Sequence, residues 1–245
     1  MDEEEQRKWK HTYKKMEAFL STLPREKGWL SEHLFQFQGF WYHKRTLQGT
    51  IVAQQHLKAR SSDIFLVTYP KSGTTWIKAI AFAIMNRTHY NHQTRPSMSS
   101  GPHEIVYVYR DPKDLLVSFW HFATKVRAKD LPPLFQEEML EQFARGVSPY
   151  GSYWDQVLGY WKASLEWPHR VLFLKYDEMK SEPAVHVKRL AEFMGQPLSL
   201  EEERDGAVHA LVELCSFEGL SNLEVKKTGK RQAGQSLVVP TVLKK

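Results

Sequence analysis

Residues Asp63 to Trp76 read Asp-Ile-Phe-Leu-Val-Thr-Tyr-Pro-Lys-Ser-Gly-Thr-Thr-Trp. The first seven are β-branched, aromatic or apolar almost throughout, the pattern of a strand covered on both faces. Pro70 to Thr75 follow as a tight loop with one glycine and three hydroxyl residues, and Trp76 to Met85, rich in Ala and Ile, predicts a buried helix. A strand, a small-residue loop and then a helix make a favourable place for an oxyanion. The first N–H groups of a helix lack intrahelical partners and carry about half a positive charge. Gly73 lets the backbone come close, Ser72, Thr74 and Thr75 add donors, and Lys71 adds a mobile cation.

The pattern continues outward. Ile105 to Tyr109 predicts a second strand, ending in Arg110-Asp111-Pro112, and Lys113 to Thr124 a helix with Leu116, Trp120 and Ala123 at helical spacing. Arg170 to Tyr176 predicts a third strand, while Val185 to Met194 and Glu201 to Leu214 predict two more helices. Pro132 to Glu141 predicts a further helix, and Ser152 to Glu166 another with Trp154, Val157, Leu158, Trp161 and Leu165 on one face. Near the start, Glu3 to Leu23 carries Trp9, Tyr13, Met16 and Leu20 at a spacing near 3.6, an amphipathic helix closed by Pro24. Phe35 to Tyr42 is either core filler in a loop or short strand, or an aromatic wall for an acceptor. Strands alternating with helices imply an α/β fold with a central parallel sheet. Neither a repeat nor a linker divides the 245 residues, so one domain over 1–245 is expected.

Composition narrows the classes. Thirteen Gly and 12 Pro without a short period exclude collagen-like and mucin-like chains, and 42% hydrophobic with 25% charged residues is globular. The 34 Lys+Arg against 28 Asp+Glu give +6, a mild field favouring anionic partners; the basic residues are scattered, so nucleic acid is not expected. One cysteine, Cys215, excludes an internal disulfide and fits a reducing compartment. Met1-Asp-Glu-Glu-Glu5 is acidic where a targeting peptide is basic, and the apolar stretch Ala79 to Met85 is far short of the ~20 residues that cross a bilayer. A cytoplasmic protein without membrane or metal is the expectation.

Lys71 precedes Gly73, whereas an NTP-binding loop of the GxxxxGK[ST] type has its Lys after the last Gly, which disfavours a kinase. Instead Tyr69-Pro-Lys-Ser-Gly-Thr-Thr-Trp76 resembles the 5′-phosphosulfate loop of the cytosolic sulfotransferases. Val106 to Ser118, a strand followed by Arg110, Asp114 and Ser118 in an RxxxDxxxS spacing, resembles that family's 3′-phosphate motif. Leu174-Lys-Tyr176 and Cys215-Ser216-Phe217 are similar to further family segments. The likeness runs from about residue 35 to 234, with plant-type details at Leu47-Gln-Gly49 and Ser221 to Val225. It implies a P-loop-like sulfotransferase fold and the donor 3′-phosphoadenylyl sulfate (PAPS), without a metal. It implies that Lys71, Ser72, Gly73, Thr74 and Thr75 grip the phosphosulfate and that Trp76 and Tyr176 contact adenine. Arg110 and Ser118 would hold the 3′-phosphate, and Ser216 and Phe217 would lie on the adenine side. It also implies that Lys71 is the catalytic residue, stabilising the departing phosphate. The partner implied is a small hydroxylated acceptor such as a flavonoid, steroid, hydroxyjasmonate or desulfoglucosinolate. A homodimer is possible, although the family's dimer motif is not recognisable.

Two departures bear on activity. The family's base histidine lies in a Thr-His segment between the two motifs, yet only 39 positions separate Lys71 from Arg110, about half the usual interval. Gly101-Pro-His103-Glu104 matches a segment whose histidine is not the base, and His121 is a helix-surface or packing residue, so neither takes that role. After Lys230 the expected Arg-Lys-Gly loop is replaced by the divergent tail 235–245, whose β-prone run Ser236 to Leu243 is an aggregation risk. The alternative to an active transferase is therefore a catalytically impaired relative that binds PAPS or its desulfated product (PAP).

Overall fold

The computed structural model describes residues 17–60, 62–87, 103–222 and 241–244. The expected helix over residues 3–16 and most of the divergent tail lie outside them; residues 17–21 are helical. The chain divides into two compact units, one made of residues 1–57 with 120–154 and the other of 58–119 with 155–245.

The larger unit holds the parallel sheet. The strands Asp63–Thr68, Glu104–Tyr109 and Val171–Lys175 run parallel, with Glu104–Tyr109 in the centre. These are β4, β5 and β6; β1 to β3 belong to the other unit. Alternate residues face opposite sides. Ile64, Leu66, Val106, Val108, Leu172 and Leu174 point into one buried cluster with Ile77, Ile80, Ala81 and Ile84 of helix α2 (Thr74–Asn86). Val187, Leu190 and Ala191 of α7 (Pro183–Phe193) complete it with Leu211 of α9 (Ala207–Leu214). On the other face the Tyr107 ring stacks at 4.3 Å on Tyr160 of α5 (Tyr153–Glu166) and lies tilted against Phe173. Burial, and then the neighbouring Tyr160, push the Tyr107 phenol far above the usual tyrosine range, and its hydroxyl is buried with no hydrogen-bond partner. Continuously apolar strands follow from having both faces covered.

A strand from the tail, β7 (Thr241–Lys244), pairs antiparallel with β4, Asp63 opposite Lys244 and Leu66 opposite Thr241. A strand edge presents unpaired N–H and C=O groups that invite other chains. Part of the β-prone run is thus used to cover the edge of the strand that enters the Pro70–Thr75 loop. The expected helix over 201–214 is two: α8 (Leu200–Arg204), started by a capping box at Ser199 and Glu202, and α9, separated at Gly206 with φ +79°. The helix expected from Pro132 begins at Gln136 as α4 (Gln136–Ala144). α5 exposes Trp154, Leu158, Trp161 and Leu165, four of the residues that the spacing sets on one helical face.

In the smaller unit, β1 (Arg25–Lys27), β2 (His33–Phe37) and β3 (Phe40–His43) form an antiparallel sheet followed by α1 (Lys44–His56). Phe35 to Tyr42 is therefore a hairpin, turning at Gln38-Gly39, both with positive φ, as a two-residue hairpin loop demands. Trp29, fully buried, donates from Nε1 to Gln142 Oε1 at 2.7 Å, and Gln142 Nε2 donates to Lys27 O. Nδ1 of buried His43 meets Ser31 Oγ at 2.8 Å, while Nε2 has no partner. Burial, aided by the Arg127 charge, lowers the His43 pKa to about 4.

Two outcomes are expected. Removing residues 241–245 deletes the β7 ladder, and loss of its few hydrogen bonds lowers stability by about 1–3 kcal/mol, read as a lower urea midpoint. His43 is neutral when folded but takes up a proton near pH 6.5 when unfolded, so its contribution is complete above that pH. It is lost as pH falls toward 4. Urea unfolding at pH 7 and 4.5 should show a smaller loss in His43→Phe than in the parent chain.

Candidate functional site

Three segments leave the carboxyl ends of adjacent parallel strands: Tyr69 to Thr75 after β4, Arg110-Asp111 after β5, and Tyr176 after β6. Parallel pairing forces this, since strands running the same way deliver their exits to one end of the sheet.

The first segment is held in an unusual backbone. Ser72 N donates to Tyr69 O at 3.1 Å, closing a turn in which Lys71 has φ +72° and Gly73 φ +85°. Glycine takes that region at no steric cost, but lysine does not. A group outside the turn braces it: Arg110 Nη1 donates to Lys71 O at 2.8 Å. Gly73 is the N-cap of α2, and no side chain caps the helix there. No acidic residue sits in the first turn, so nothing opposes the positive end of the helix dipole. Ile77 N donates to Gly73 O, the first bond of the ladder, which leaves the amides of Thr74, Thr75 and Trp76 ahead of it.

Ser72 is fully buried and its Oγ has no hydrogen-bond partner. A buried hydroxyl without a partner is costly in a finished structure, and a ligand oxygen would satisfy it. Thr74 and Thr68, a residue that the loop pattern did not single out, bring their hydroxyl oxygens to 2.5 Å. Its signal was its place at the last position of β4, where a side chain can reach the first turn of α2.

Tyr176 joins the three exits. The Arg110 guanidinium lies 4.8 Å from its ring centroid, and Trp76 meets it edge-on at 5.7 Å. A Cβ added to Gly73 would come within 2.8 Å of the same ring. Gly73 is therefore fixed twice, by its backbone angle and by the ring against it. Tyr176 ends no strand: β6 stops at Lys175, and Tyr176 opens the short helix α6 (Tyr176–Ser181).

The remaining expected residues are placed less tightly. Ser118 is half-buried in the second turn of α3 (Pro112–Val126), whose start is capped by Asp111, Oδ1 accepting from Lys113 N and Asp114 N. Ser216 Oγ accepts from Gly219 N at 3.0 Å and so starts α10 (Phe217–Asn222), of which Phe217 is the first residue. Thr75 is exposed. His103 stands at the opposite end of β5 from Arg110, about 23 Å away along an extended strand, with its ring against Phe65. His121 is exposed on α3 and packs on Trp120. His103 is thus not at the three strand exits. Among the described residues no group of His, Cys, Asp and Glu could hold a metal ion.

The sequence profile described as "Sulfotransferase domain" matches residues 61–104 and 92–239. Flavonol 4′-sulfotransferase of Flaveria chlorifolia is 41% identical over 239 aligned positions, covering 80% of this chain and 75% of the relative. Cytosolic sulfotransferase 3 of Arabidopsis thaliana is 39% identical, covering 87% and 78%. A crystal structure of an Arabidopsis thaliana sulphotransferase superposes with TM-score 0.65 at 36% identity, over 84% of this chain and 85% of that one. Mouse sulfotransferase SULT7A1 complexed with PAP, 24% identical, shares the fold at TM-score 0.61 over 79% and 78%.

Gly73→Ala should be the most damaging small substitution in this region. It adds strain at φ +85° and a clash with Tyr176, together about 1–3 kcal/mol of stability. Gly73→Ala in a Tyr176→Ala background removes the clash and leaves the strain. A thermodynamic cycle by urea unfolding should therefore find the two changes coupled; additivity would contradict the contact.

Proposed function

Since the chain belongs to the sulfotransferase family, we propose that its β4–α2 turn holds the phosphosulfate end of PAPS and that the protein moves the sulfuryl group to a hydroxyl of a small acceptor. The observation that carries this reading is the left-handed turn at Lys71 and Gly73. It leaves uncapped helix amides and the partnerless Ser72 hydroxyl in one short segment, with Arg110 tied to the same turn.

Bound PAPS supplies a sulfuryl group already joined to a good leaving group, a phosphate. The protein's part is orientation and charge stabilisation where charge develops. The amides of Thr74, Thr75 and Trp76 and the Ser72 hydroxyl donate to the phosphosulfate oxygens. As the acceptor oxygen bonds to sulfur and gives up its proton to water, the sulfur–oxygen bond to phosphate breaks, and negative charge builds on the phosphate, where Lys71 stabilises it. Arg110, with its planar fork of donors, and Ser118 hold the 3′-phosphate. Trp76 and Tyr176 offer aromatic surface to adenine, with Ser216 and Phe217 in the adenine-side segment. A flavonoid, steroid, hydroxyjasmonate or desulfoglucosinolate-like acceptor is the proposed class. The names of the Flaveria relatives favour the flavonoid, and the Arabidopsis relatives named cytosolic favour a cytoplasmic protein.

A second reading, donor binding without efficient transfer, is favoured by the placement of His103. It lies at the end of β5 opposite the strand exits. A missing general base lowers a rate by about 10²–10⁴. Titration calorimetry with adenosine 3′,5′-bisphosphate should give saturable binding, weakened about tenfold or more by Arg110→Ala and lost on Gly73→Ala. Transfer from labelled PAPS to a flavonol then separates the two readings: turnover abolished by Lys71→Ala supports the transferase. Binding with no turnover supports the second reading, and no binding contradicts both.

A further inference from the structure

The three hydroxyls of the β4–α2 turn stand in different surroundings. Ser72 Oγ is buried with no hydrogen-bond partner, and Thr75 is exposed. Thr74 Oγ1 lies 2.5 Å from Thr68 Oγ1, and either oxygen could donate to the other. Thr68 is well fixed. It is the last residue of β4, opposite Val108 in the parallel ladder, and its branched Cβ restricts the side-chain torsion. Thr74 gains less from its own helix. As the first residue of α2 it has no helical turn before it, and the carbonyl three residues back, Lys71 O, already accepts from Arg110. We propose that Thr68 is a positioning residue for anion binding: its hydroxyl donates to Thr74 Oγ1, so that the Thr74 hydroxyl meets the ligand as a donor. The inference rests on the reading that this turn holds the phosphosulfate end of PAPS.

The charge of the ligand selects the direction of the bond. A hydroxyl has one hydrogen and two lone pairs, so two of them can be linked either way. With Thr74 donating to Thr68, Thr74 would turn only lone pairs toward an anion, which repels them. With Thr68 donating, the Thr74 hydrogen is left for an anionic oxygen, beside the uncapped amides at the positive end of α2. In the chain from Thr68 through Thr74 to the anion each hydrogen then has an acceptor. Each bond also polarises the next, which makes Thr74 a stronger donor than it would be alone. Serine at position 68 keeps this relay, whereas valine or alanine removes it.

Titration calorimetry on the full chain tests this with two nucleotides, adenosine 3′,5′-bisphosphate and adenosine 3′-monophosphate, which lacks the 5′-phosphate. Thr68→Val, whose branched side chain suits a strand end, should weaken the bisphosphate about fivefold, and Thr74→Val about tenfold. Thr68→Ala should match Thr68→Val, and Thr68→Ser should recover affinity to within about twofold of the parent chain. Because Thr68 acts through Thr74, the double variant should bind no more than about twofold more weakly than Thr74→Val alone. Adenosine 3′-monophosphate should lose less than about twofold in Thr68→Val or Thr68→Ala. Unchanged bisphosphate affinity in both of these variants would overturn the inference and leave the proposed function standing. So would equal weakening of the two nucleotides, or losses that multiply in the double variant, since either makes Thr68 a structural residue only. A parent chain that binds neither nucleotide overturns the proposed function, and this inference with it.

Discussion

The hydrogen bond from Arg110 to the carbonyl of Lys71 ties together what the rest of the site depends on. Lysine does not choose a φ of +72°, and such strain persists only where surrounding structure enforces it. The enforcing group comes from the exit of the neighbouring strand. With Lys71 turned this way, Ser72 is driven inward, Gly73 becomes the left-handed cap of α2, and the helix starts without a side chain over its first amides. In the proposed function a residue that would bind one phosphate thus also shapes the loop that would bind the sulfuryl end, and one connected piece of backbone would read both ends of the donor.

Tyr176 carries this coupling to the third strand. Its ring lies under the Arg110 guanidinium, against Trp76 and against the bare Cα of Gly73. These contacts explain why a glycine is needed here beyond its backbone freedom. They also explain why the site sits at one end of a parallel sheet: only there do three strand exits lie side by side.

The sheet and the turn were legible from residues. Uninterrupted apolar runs at Ile64 to Val67, Val106 to Tyr109 and Val171 to Leu174 are what strands covered on both faces require, and the loop's composition named its chemistry. The bracing was not legible, because Arg110 and Tyr176 meet Lys71 and Gly73 only after folding. Helical periodicity at α5 set Trp154 to Leu165 on one face, but spacing reports that a face is apolar and not what covers it. Gly206 divided a helix that composition alone ran together, and β7 paired a tail whose β-prone sequence had signalled a hazard. The hairpin at Phe35 to Tyr42 was hidden because Gln38-Gly39 is not among the strongest turn pairs, although both residues adopt positive φ.

An amide-resolved titration with adenosine 3′,5′-bisphosphate tests the central claim most directly, since ligand oxygens that accept from backbone N–H groups move those resonances first. The account predicts that the amides of Ser72 to Trp76 shift together with the Arg110 side-chain signals, saturating with one constant. Shifts elsewhere, with Ser72 to Trp76 indifferent to a saturating nucleotide, would contradict it.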